Sequence, residues 1–124
     1  MNPKNVVSLE LSKKLKEVDY PQLEGEFWWA CLLEHETSKP IRYVLEIKGH
    51  YPSCLSNELW ADEEDNIVAP LVSELMGNLS NNDLDDYIRE KHLHQDGLIN
   101  LFRNPNMLAK VFIWKQLKDS KMIG

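Results

Sequence analysis

The side chains best suited to chemistry are His50, Cys54, His92 and His94. His50 and Cys54 are close enough in sequence for an imidazole to serve as base to a thiol, but no third group that would orient the pair can be identified. His92-x-His94 would place two imidazoles on one side of a strand. They could then hold a metal ion if His50, Cys54 or a carboxylate from Asp62 to Asp65 supplied a further ligand. If the two histidines end a helix instead, they point apart, and a helix C-terminus gives them an ordinary electrostatic reason to be there. A small metal-dependent or cysteine hydrolase is the alternative reading that these residues support.

Other constellations are weaker. In Glu34-His35-Glu36 a strand end would put the two carboxylates on one side and the imidazole on the other, so the three do not converge. The run Asp62-Glu63-Glu64-Asp65 lacks the alternating ligands and the glycine of a calcium loop, and reads as a solvated turn. Cys31 lies among core-like residues. There is no G-x-S-x-G elbow, glycine-rich phosphate loop or H-E-x-x-H, and five glycines leave few positions for close phosphate approach. Neither a catalytic group nor a metal ligand is assigned, and no cofactor is expected.

Composition narrows the classes further. The 124 residues are 43% hydrophobic and carry four tryptophans, enough for one domain over 1–124 with a real core. A net charge of -6 argues against a nucleic-acid footprint, although lysines gather at Lys13, Lys14 and Lys16 and again from Lys110 to Lys121. Two cysteines without metal-like spacing suit free thiols in a reducing compartment. No apolar leader or run of 18 apolar residues is present, so the expected location is cytoplasmic, away from membranes.

The elements that would position these residues make an α+β pattern. Val7, Leu11, Leu15 and Val18 share one helical face, Asn5 or Ser8 can cap it, and Pro21 ends the helix by Asp19. Glu26 to Leu33 alternates as a strand, with Phe27, Trp29, Cys31 and Leu33 on one side and Trp28, Ala30 and Leu32 on the other. Ile41 to Lys48 follows across a polar HETSKP connection, which predicts an antiparallel hairpin over Glu26–Lys48. Leu55, Leu59 and Trp60 suit a helical turn or a short strand. Pro70 is placed at the first position of a helix carrying Leu71, Leu75 and Leu79. Ser80, Asn81 or Asn82 can cap a further helix with Leu84, Tyr87 and Ile88. Leu98 to Phe102 could add a short strand. Asn104 and Pro105 begin the terminal helix, whose stripe is Leu108, Val111 and Phe112. The expected architecture is a small antiparallel sheet packed by the N-terminal and C-terminal helices.

Two of these segments carry a resemblance. Val7, Ser8, Leu9, Glu10, Leu11, Lys13, Leu15, Lys16, Glu17, Tyr20, Pro21 and Gln22 fit a V-S-L-E-L-A-K-x-L-K-E-x-G-[FY]-P-Q opening. Ala69, Pro70, Glu74 and Leu79 fit a central A-P-T-x-x-E-x-x-x-W-L helix. The chain resembles a group of small uncharacterised proteins encoded by phages and prophage regions of gut bacteria. It departs at Ser12 for alanine, Asp19 for glycine, Leu71 for threonine and Asn78 for tryptophan. The resemblance implies a fold and a phage-like origin, and no catalytic or ligand residues come with it.

A noncatalytic accessory protein acting through protein contacts, as a homodimer or with another protein, is therefore the leading expectation. Its binding surface is assigned to Trp28, Trp60 and Tyr51, because aromatic side chains are enriched at interface centres. Trp28 is the key residue, since it points away from the Trp29 side.

Overall fold

A computed structural model describes residues 5–92 and 103–123, with side chains described as far as residue 119. Ser8 caps helix α1 (Leu9–Glu17) by accepting from the Leu11 N–H at 3.4 Å, and Lys14 and Lys16 lie in its last turn, where the dipole favours cations. The stop before Pro21 takes the form of a C-cap at Val18 followed by Asp19 at φ 66°. Glycine would reach that left-handed position without a clash at Cβ.

The hairpin forms from β1 (Phe27–Glu34) and β2 (Pro40–Ile47), with Ala30 opposite Val44 and an irregularity between Leu32 and Leu33. The two short strands β3 (Glu58–Trp60) and β4 (Ile67–Val68) pair antiparallel with β1, beside Leu32–Glu34 and Trp28–Trp29 respectively. β1 is therefore the centre of a four-stranded sheet. Between β3 and β4 the acidic run turns once as an exposed 3-10 helix, Glu63–Asp65.

Helices α2 (Val72–Gly77), α3 (Asn81–Lys91) and α4 (Pro105–Ile123) are the remaining helices among the described residues. Pro70 does not begin α2. Leu71 is the N-cap, and Pro70 stands one residue before it, where its carbonyl accepts from the Val7 N–H at 3.0 Å. Glu74 completes this start, since its carboxylate accepts from the Leu71 N–H and from the Glu26 N–H at the entry to β1. Ser80 caps α3 through a reciprocal pair with Asp83, and Asn104 caps α4 by accepting from Asn106 and Met107.

The helices share a core of Leu15, Leu75, Leu108 and Val111, all fully buried, joined by Val7, Tyr20 and Phe112. α4 packs chiefly on α1, α2 and α3, and α1 makes the contact to the strands. The molecule is α+β, with the terminal helix bracing the layer that meets the sheet. The strand proposed at Leu98 to Phe102 lies outside the described residues.

Candidate functional site

Pleating turns Trp29, Cys31, Tyr43 and Leu45 to one face of the sheet, and Trp28, Ala30, Leu32, Val44 and Glu46 to the other. α1 lies over the first face. Trp29 Nε1 donates to the Val7 carbonyl at 3.0 Å, and the Lys13 ammonium stands 4.9 Å from the Tyr43 ring centre. Burial pushes the Cys31 thiol up, against the lowering hydrogen bond of Tyr43, so this cysteine is a packed thiol and not an activated nucleophile.

The second face is covered by the chain itself. The segment between β2 and β3 folds back over it, and Tyr51 inserts between Trp28 and Trp60 at centroid distances of 5.5 and 5.7 Å. Trp60 Nε1 donates to the Pro52 carbonyl at 2.8 Å and fastens the loop. Buried Glu58 adds a second tie, accepting from the Leu55 N–H and from Arg42. Trp28, Tyr51 and Trp60 thus form one cluster. Trp28, assigned to the binding surface from its side of β1, lies under this loop and is 4% exposed, and Tyr51 is the outermost ring.

Two hollows flank the cluster. One of about 380 Å³ is bordered by Trp28, and one of about 360 Å³ by Leu32, Val44, Cys54 and Trp60. Burial raises the Tyr51 hydroxyl pKa and the carboxylate of Glu63 adds to it, while the Asn66 amide works the other way.

Among the described residues, His50 and Cys54 of the alternative constellation have separate hydrogen-bond partners. His50 Nδ1 lies 3.1 Å from Glu46 Oε2, whereas the Cys54 thiol donates to the Glu58 carbonyl at 3.2 Å. His92 caps α3 in a left-handed conformation at φ 53°, in the helical layer. His94 lies outside the described residues. Among the described residues no group of three or more His, Cys, Asp or Glu side chains could hold a metal ion. Glu34, His35 and Glu36 border the hairpin turn, where the Glu34 and His35 N–H groups donate to Lys39 and Asn57 carbonyls.

The sequence assigns no site role to Asn66, Lys16 or Lys48. Asn66 is 5% exposed and its Oδ1 accepts from the Cys31 N–H at 2.9 Å, taking the place of a strand partner beside β1. Its signal is weak, an asparagine that closes the polar run DEEDN at the head of the apolar run IVAPLV. The lysines carried none, because their roles depend on backbone carbonyls brought from elsewhere in the chain. No protein-family model, curated protein or solved structure matches this chain. Among the described residues no helix is long and apolar enough to cross a membrane.

Proposed function

We propose that the protein is a noncatalytic accessory protein of phage or prophage type that acts through protein contacts, with a second copy of itself as the partner. The observation that carries this reading is the outer edge of β2, eight residues long and without a strand partner among the described residues. The Lys48 N–H donates to the Glu26 carbonyl, so by alternation Val44 and Glu46 also turn their backbone groups toward β1. Tyr43 and Leu45 turn theirs outward.

A two-fold axis through Val44 would pair Tyr43 with Leu45 of the copy in both directions. Arg42 would then oppose Glu46, and the exposed Ile41 and Ile47 would flank the seam. Arg42 and Glu46 make the edge self-complementary in charge. The opening and central helices support the phage-type origin by their resemblance, and the hydrolase alternative lacks an assembled group among the described residues.

Size-exclusion chromatography with light scattering tests the reading. A dimer is expected for the natural chain. Val44→Lys and Val44→Asp should each be monomeric, because like charges would meet at the axis, and an equimolar mixture should restore the dimer. A natural chain that stays monomeric at every concentration tested would remove the self-association proposal.

A further inference from the structure

The hollow beside Trp60 holds a charged group whose hydrogen bonding is incomplete. At about 360 Å³ it falls within the range of small-ligand sites, roughly 300–1,000 Å³. Leu32, Val44, Pro52 and Trp60 supply apolar wall on the loop side of the sheet. Leu55 borders it too and is 64% exposed, an apolar side chain that the loop leaves largely uncovered.

Glu58 is the acidic group set into this wall. Its side chain is 5% exposed, yet it belongs to the lining of the hollow. Oε1 is committed, accepting from Arg42 at 3.3 Å and from the Leu55 N–H at 3.4 Å. Oε2 accepts from no group among the described residues. Nor is it sealed in: among the described residues, the side-chain atoms both closed to water and unpartnered are nitrogens. Oε2 is therefore reachable. An ionised carboxylate only accepts, so what this oxygen lacks is a donor.

The surroundings choose the charge of that donor. Among the described residues, Glu46 and Glu58 are the carboxylates of the lining and Arg42 is its cation. His50, 3.1 Å from Glu46, adds positive charge only when protonated. The Arg42 side chain is 54% exposed, so water and salt screen much of its charge. The Glu58 charge lies against apolar wall, where a lower dielectric lets it act more strongly. One added positive charge balances the set, whereas an anion would meet two carboxylates.

We infer that this hollow binds a small primary amine with an apolar body. Its ammonium would donate to Glu58 Oε2, and its body would lie against Trp60 and cover Leu55. A neutral donor would make the hydrogen bond without balancing the charge, and would bind more weakly. The inference is independent of pairing at the β2 edge, which runs along the backbone and not over this face.

The test follows the tryptophan indole N–H signals in nitrogen–proton NMR spectra, with the Trp60 signal assigned by its loss in Trp60→Phe. Phenethylamine is the probe. The controls share its ring: phenethyl alcohol carries a neutral donor and phenylacetate a negative charge. Phenethylamine should shift the Trp60 signal saturably and move those of Trp29 and Trp114 much less. Phenethyl alcohol should bind about tenfold more weakly for want of a charge-assisted hydrogen bond, and phenylacetate more weakly still. Glu58→Gln should weaken the amine about tenfold and bring it level with the alcohol, a change of ratio that a merely loosened loop would not produce. The wild-type titration is decisive even if that variant does not fold. No saturable shift at Trp60, or a response to either control as strong as that to the amine, would overturn the inference.

Discussion

Trp28 and Trp29 are neighbours on one strand and meet opposite circumstances. Trp29 turns toward α1 and finds the Val7 carbonyl, while Trp28 turns toward the β2–β3 loop and finds aromatic rings but no acceptor. The helical side is closed by fully buried aliphatic side chains on elements whose ends are capped. The loop side is closed by Tyr51, a partly exposed ring on a loop tied by the Trp60 indole to Pro52 and by Glu58 to Leu55. A face covered by regular structure is satisfied in its own terms. A face covered by a loop keeps hollows and unpaired polar atoms, and the hollows are the places where a ligand has something to gain.

Truncation on each side gives the widest separation. Leu108→Ala, in the fully buried helical core, should lower unfolding free energy by about 2–5 kcal/mol. Tyr51→Ala should cost less than half as much, because that ring is 40% exposed. Urea unfolding of both variants measures the difference, and equal losses would mean that the loop packs as tightly as the helices.

Removing one indole N–H at a time sharpens the contrast. Trp29→Phe gives up a made hydrogen bond and should cost about 1 kcal/mol. Trp28→Phe loses as much ring but removes a buried donor without a protein partner, so its cost should be smaller than that of Trp29→Phe. A greater loss at Trp28 than at Trp29, read from the same denaturation curves, would break the comparison.

The smallest effect concerns the turn that leads from α1 toward the sheet. Asp19→Gly should raise stability by about 0.5–1 kcal/mol, since the residue sits at φ 66°. A lower melting temperature for this variant would show that the aspartate side chain contributes more than its backbone strain removes.

Much of the fold was legible in residues with local effects. Ser8, Pro21, Ser80 and Asn104 mark helix ends through hydrogen bonds and steric limits that reach only a few residues. The alternation in FWWACLL and in IRYVLEI gave the hairpin and sorted Trp28 from Trp29. Pro70 was misplaced because a proline suits the residue before an N-cap as well as the first helical position. The three aromatic residues of the candidate surface could be selected by type, but not their stacking, which requires the loop to double back. Asn66 was overlooked because a single asparagine ahead of a strand looks like a turn until its amide is seen against Cys31.

The amino-acid sequence by itself determined the hairpin, most of the helix ends and the two faces of β1, because propensity, capping and pleating act over a few residues. The tertiary structure alone decided what covers each face. Whether an indole meets a carbonyl or only another ring depends on segments far apart in the chain, Val7 with Trp29 and Tyr51 with Trp28. The central question of the Trp28 side was therefore answerable only after the chain had folded over it.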